Sequence, residues 1–428
     1  MNFNNWKEAV LSDVIEFNPK ESIKKGTLSK KIAMDKLEPY TRKISGYEEV
    51  PFTSGTKFRN GDTLLARITP CLENGKTAQV TILDDNEIGF GSTEYIVMRE
   101  KQGKTINDFI YYLSISDNFR NIAIKSMTGT SGRQRAQKDV IENSIINLPP
   151  IEEQKAIANI LSTLDDKIEV NNKINQKLEE MAQAIFKQWF IDFDFPNEEG
   201  KPYKSSGGEM VESELGMIPK GWAVKSIGQL PVIVTDYVAN GSFKSLKENV
   251  TLYEEENYAL FMRNTDLKCK FSADRKYVDE HSYNFLEKSK LFGGEIIISN
   301  VGDVGSVYMC PMFNIPMTLG NNVIMINTIE NNTDLNKYIF RLFKSYLGQH
   351  LIKSITGGSA QPKFNKTDFR NIKISMPSND ILEKYNQSSK LVEYKILKND
   401  VENSKVSQTR DILLPKLMSG EIRVKLEK

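Results

Sequence analysis

The chain has 428 residues, with 57 Lys and Arg against 56 Asp and Glu for a net charge of +1. That length predicts two or three domains, each able to bury a core, and the balanced charge excludes a uniformly basic coat, so any nucleic-acid surface must be local. Three scattered cysteines, Cys71, Cys269 and Cys310, offer neither a disulfide framework nor a zinc site and fit a reducing cytoplasm.

The opening residues, MNFNNWKEAVLSDV, carry no basic stretch followed by an apolar run, so no signal peptide is expected. No segment approaches the roughly 18 apolar residues of a membrane span, so no membrane contact is expected and the location is read as cytoplasmic. Residues 1–150 alternate short apolar runs (DTLLARI, EYIVM, SIINLP) with Gly, Asn, Pro and Asp, the texture of strands and turns. One helical stretch, Ile106 to Met127, has apolar residues at three-to-four spacing, which makes this an α/β domain.

After Leu148-Pro149-Pro150 the texture changes. Residues 151–190 contain neither Gly nor Pro, and Glu152 and Glu153 suit a helix N-terminus. Leu161, Leu164, Ile168, Leu178, Ile185 and Trp189 fit a coiled-coil seam, with Asn171 and Asn175 as polar positions that fix register. The expected rod is roughly 60 Å long. Residues 191–220 read as an acidic linker, made flexible by SSGG at Ser205 to Gly208. A second α/β domain spans 221–378, with Trp222 answering Trp6. Residues 379–428 form a second long helix with a looser stripe that includes Leu413 and Leu417, and Gly420 sits where a helix C-cap wants it. Neither long helix buries its stripe alone, so the two should pair.

The two domains are copies. FRNGDTLLAR (Phe58 to Arg67) matches LFGGEIIISN (Leu291 to Asn300), and STEYIVM (Ser92 to Met98) matches GNNVIMI (Gly320 to Ile326). GTSGRQR…NLPP, from Gly129, matches GGSAQPK…SMPS, from Gly357, and the last two matches share one offset of 228 residues. A unit this long is a duplicated domain, since solenoid repeats run only about 20–50 residues. A molecule with two similar surfaces related by an approximate two-fold axis suits a nearly two-fold ligand, and duplex DNA is the commonest.

Charge locates the expected surface. Between Phe119 and Lys138 stand five basic residues (Arg120, Lys125, Arg133, Arg135, Lys138) and no acid; between Lys337 and Lys373 stand eight against Asp368 alone. Each window holds a small-residue turn, with Thr130 and Ser131 in one copy and Ser359 in the other, whose amides and hydroxyls can meet phosphates. Arg133, Gln134 and Arg135 follow in the first, and Gln361 and Lys363 in the second, types that pair bidentately with base edges or neutralise phosphates. With Lys353 and Lys366 these make the candidate DNA-binding set. Either patch alone fits a solvated basic loop; two at one phase of a repeat favour a binding surface.

Catalytic signals are missing. His281 and His350 have no Cys, Asp or Glu cluster near them in sequence, so no metal site is expected. The GKT at Gly75 has Pro70 where a phosphate loop needs glycine. Asp194 with Glu199-x-Lys201 imitates a nuclease carboxylate set but lies in the acidic linker. The chain reads as a binder.

LPPIEEQKAIANIL at Leu148 to Leu161, GMIPKGW at Gly216 to Trp222 and LLPKLMSGEI at Leu413 to Ile422 together resemble the specificity subunits of type I restriction-modification systems. The second copy departs from that pattern, having SNDILEKYN after Met376-Pro377 in place of the EEQ junction. The resemblance implies tandem α/β (α+β) recognition domains, each followed by a long helix, the helices pairing as an antiparallel coiled coil with pseudo-two-fold symmetry. It implies a non-catalytic subunit that reads a split, asymmetric double-stranded DNA target and docks two methyltransferase subunits, with restriction (motor-nuclease) subunits joining for cleavage. S-adenosylmethionine, ATP and magnesium would belong to those partners, and this chain would bind no cofactor. Leu161, Leu164, Ile168, Leu178, Leu413 and Leu417 would carry the helix pairing. Half-site centres are expected about one helical turn apart (roughly 34–36 Å), and one heptad inserted after Leu178 should lengthen the spacer by about three base pairs. Two other classes stay open: a standalone methyltransferase or nuclease, and a coiled-coil scaffold that binds no DNA.

Overall fold

The computed structural model describes residues 6–130, 132–269, 271, 274–329 and 332–424. The chain divides into two compact units, Met1–Ile174 with Leu397–Lys428, and Asn175–Ile396. Each unit combines one α/β copy with a segment of both long helices, Ile151–Phe190 and Asn379–Ser419.

In the first unit the strand Lys7–Val10 returns antiparallel on Ile145–Leu148, with Lys7 opposite Leu148. In the second, Ala223–Ser226 lies on Lys373–Met376 with Ala223 opposite Met376, the same register. Next comes a four-stranded antiparallel sheet, in the order Ile15–Phe17, Tyr95–Glu100, Thr63–Ala66, Thr77–Gln79. Its counterpart runs Val232–Asp236, Val323–Thr328, Ile296–Ser299, Val307–Met309. The inner strands TLLA and IIIS are buried at every position, which is why they read as unbroken apolar runs rather than alternating ones. A further sheet completes each unit: four strands around the parallel pair Leu28–Ile32 and Gly89–Gly91, and five around the parallel pair Ala259–Met262 and Met317–Leu319.

The helical stretch expected over Ile106 to Met127 is two helices, Asn107–Ile115 and Asp117–Lys125. Ser116 leaves the helical basin (φ −68°, ψ 149°) and its hydroxyl donates to Leu113 O at 2.6 Å. The second copy breaks identically at Ser345, between Thr333–Lys344 and Tyr346–Ser354. Serine offers the chain a local side-chain hydrogen bond in place of the helical one, and apolar spacing carries no trace of that competition.

Residues 191–220, expected to be flexible, are ordered. They form a hairpin, Met210–Ser213 with Gly216–Pro219. Phe195 is buried between Tyr203 and Trp222 at ring distances of 4.6 and 5.5 Å. Asp194 accepts from the Ser205 amide and hydroxyl, so the nuclease-like acid acts as a turn brace.

The two long helices pair antiparallel within each unit. In the first, Asp165 meets Arg410, and farther along Asn171 meets Glu402 and Asn403. Asn171 is only 2% exposed, as a register-setting seam asparagine should be. Leu161 and Leu417 are buried in one core with half-buried Leu413; Leu164 and Ile168 are half-buried. In the second unit Phe186, Trp189 and Phe190 pack on Tyr338 and Tyr385, with Phe190 to Tyr385 at 4.8 Å, while Leu178 is half-buried and Asn175 donates to Ile396 O. The C-terminal expectation holds: the second helix ends at Ser419, and Gly420 follows with φ 75°.

Candidate nucleic-acid interface

Each matched basic window closes into a turn seated on the end of a central strand. In the first unit Thr128 and Arg135 exchange two backbone hydrogen bonds of 3.1 and 2.9 Å. The following amide, Ala136, donates to Arg67 O, and Thr69 donates to Gln134 O. In the second unit Gly357 and Lys363 exchange two bonds of 2.9 Å, Phe364 donates to Asn300 O and Gly302 donates to Pro362 O. One frame therefore holds both turns. Glycine is required at Gly358, whose φ is +91° and where a Cβ would stand 2.6 Å from Gln361 O.

The frame presents some of the expected residues and withdraws others. Lys125, Arg133, Lys353, Gln361 and Lys363 are exposed, as are Thr130 and Ser359, and Gln134 is half-buried. Among the described residues the side chains of Lys125, Arg133, Lys353 and Lys363 make no ion pair or hydrogen bond, so their charges are available to an incoming anion. Ser131 lies outside the described residues.

Arg120 is inside. It is 8% exposed, donates to Glu73 O at 3.1 Å and lies over the Tyr40 ring. Its counterpart Gln349 does the same structural work, donating to Gly305 O and Phe343 O. Sequence counts a charge but not its burial, and this one pins a loop. Lys138 is paired with Glu142 in its own helical turn, and Lys366 with Asp236 at 2.7 Å, so both charges are locally neutralised. Arg135 makes a bidentate pair with Glu94, at 2.7 to 3.0 Å, which raises its already high pKa.

Residues not anticipated complete the surface. Glu94 and Asn322 are equivalent: Arg67 donates its amide to Glu94 O in one unit, as Asn300 does to Asn322 O in the other. The aligned STEYIVM and GNNVIMI segments already set these two side by side. In the second unit a cleft of about 480 Å³ beside the turn is lined by Gly302, Asp303, Tyr346, His350, Lys353 and Pro362, with Tyr346 87% exposed. Among the described residues no cluster of three His, Cys, Asp or Glu is arranged to hold a metal, and no helix is long and apolar enough to cross a membrane.

A duplicated α/β unit that seats one basic turn per copy, each copy joined to paired long helices, defines a class of tandem recognition proteins. The family described as type I restriction modification DNA specificity domain matches residues 4–180 and 219–402, and the chain belongs to it. It is a DNA-recognition component of such a restriction system and not its catalytic one. It is 25% identical over 437 residues to the HindI specificity subunit of Haemophilus influenzae, covering 89% of this chain and 90% of that protein. It is 29% identical over 325 residues to the MjaIX specificity subunit of Methanocaldococcus jannaschii, covering 74% and 70%. The fold is similar to the crystal structure of the type I S subunit from M. genitalium, with a TM-score of 0.51, 15% identity and coverage of 100% and 98%.

Proposed function

We propose that this subunit reads an asymmetric, bipartite target in double-stranded DNA, one half-site per unit, in the cytoplasm. The carrying observation is the pair of turns held in one hydrogen-bond frame, which present Arg133 and the Arg135–Glu94 pair in the first unit and Gln361 and Lys363 in the second. A shared frame with different side chains is what two half-sites of different sequence require, because phosphate contacts position a protein while base contacts specify. Methyltransferase subunits would dock on the paired helices, where apolar residues remain uncovered: Val170, Leu397 and Val401 in the first unit, Met181, Leu391 and Tyr394 in the second. Restriction subunits would join that assembly, and S-adenosylmethionine, ATP and magnesium would be held by the partners.

The test is a methylome. Methylated adenines should be mapped in a host with and without the gene, and the motif that disappears should be two different short half-sites around unread base pairs. A continuous palindrome, or a motif unaffected by deleting the gene, would refute the reading.

A further inference from the structure

The two turns differ in one electrostatic feature. Arg135 in the first unit is clasped by Glu94, whereas in the second unit Asn322 occupies the position equivalent to Glu94 and the counterpart Lys363 has no carboxylate partner among the described residues. The Glu94 side chain is 23% exposed and that of Arg135 44%, so an approaching duplex meets the pair and not the guanidinium alone. A phosphate can take Arg135 only by displacing a carboxylate of like charge. A guanine edge, offering O6 and N7 side by side, can accept from the arginine without bringing a charge against Glu94. On the same base pair the cytosine N4 amino group is a donor, which a neighbouring carboxylate can accept.

We propose that Glu94 is a specificity-determining residue of the first unit: it withholds Arg135 from phosphates and biases that half-site towards a G·C pair. The second unit lacks the device, so Lys363 acts there as a plain backbone anchor. The inference rests on the reading that the first unit meets duplex DNA through this turn. Glu94 is argued to act largely through Arg135, so the readout must separate restraint from mere support of the loop.

The full chain and its Glu94→Gln and Glu94→Asp variants should be titrated, at several salt concentrations, with two duplexes. One carries the methylome-defined motif, and the other is a scrambled duplex of equal length. Freed from its carboxylate, Arg135 should give Glu94→Gln about two- to fivefold tighter binding to the scrambled duplex, the scale of an exposed ion pair. The salt slope should steepen by about 0.9, one more phosphate neutralised, and the motif-to-scrambled ratio should fall. Glu94→Asp, which keeps the charge, should behave like the parent. If Glu94→Gln binds the scrambled duplex equally or more weakly with an unchanged slope, the pair is only a strut and the proposal is overturned. If the parent itself does not prefer the motif, the DNA-reading proposal falls and this one with it.

Discussion

Arg133 and Lys363 are exposed, unpaired among the described residues and seated on equivalent turns, so each is expected to contribute chiefly a phosphate contact. Arg133→Ala and Lys363→Ala should each weaken binding to the motif duplex and lower the salt slope by about 0.9. Anisotropy titrations over a salt series check this, and parent-like slopes for both would exclude the surface. A different kind of residue holds the first unit to its helices. Asp165 accepts from Tyr112 at 2.7 Å and from Arg410 at 2.8 Å, with side-chain exposures of 9% for Asp165 and 12% for Arg410. Removing the carboxylate leaves the Tyr112 hydroxyl without its acceptor and the largely buried Arg410 with only the more exposed Asp411 and the Ser407 hydroxyl as partners, so Asp165→Ala should cost about 1–3 kcal/mol, measured by denaturant unfolding. At this scale sequence was a partial guide. It found the exposed turn residues because they fall in phase with the repeat. It also counted Arg120, because burial under Tyr40 depends on a contact eighty residues away, and it passed over Glu94 because an ion pair across 41 residues leaves no local pattern.

Among the elements, the long helices were the most legible, since an apolar stripe without Gly or Pro has few alternatives to a helix. Leu161 is wholly buried in the first unit's core, and Leu161→Ala should destabilise it by about 2–5 kcal/mol in a denaturant melt, whereas exposed Ile412→Ala should change little. In the second unit burial disfavours ionised Glu179, but Arg341 and Lys344 outweigh it and hold the carboxyl below its ordinary value of 4.5. A depressed folded-state pKa contributes stability above the ordinary value, and that contribution is lost as pH falls through the folded one. Glu179→Gln should therefore melt lower than the parent at neutral pH, and the gap should narrow as pH falls below 4.5 and through the lower folded-state value. A gap constant with pH would show that the ion pair contributes nothing. What sequence missed among the elements were interruptions and order: the Ser116 and Ser345 breaks, and the packed hairpin at residues 210–219. A linker's acidity and its SSGG say nothing of Phe195, one apolar residue that finds Tyr203 and Trp222 and anchors the segment.

For the whole molecule, the duplication was the strongest thing the sequence offered, and strand register bears it out in both units, with Lys7 opposite Leu148 and Ala223 opposite Met376. If the long helices set the spacer, matched heptads after Ile174 and after Ile396 should lengthen it by about three base pairs and leave both half-sites unchanged. The insertion belongs in both helices, since a single one would slip the Asn171 seam. A methylome with altered half-site bases and the old spacing would contradict this.

The first unit is assembled from two stretches of chain, residues up to Ile174 and residues from Leu397 onward, while the second is continuous from Asn175 to Ile396. During synthesis the second unit has all its parts as soon as Ile396 has left the ribosome, whereas the core that holds Leu161 is incomplete until Leu417 arrives. A nascent or prematurely terminated chain thus carries a closed second unit and an open apolar seam on the first. That half-made product, with apolar surface still exposed, is the species a chaperone or protease would meet.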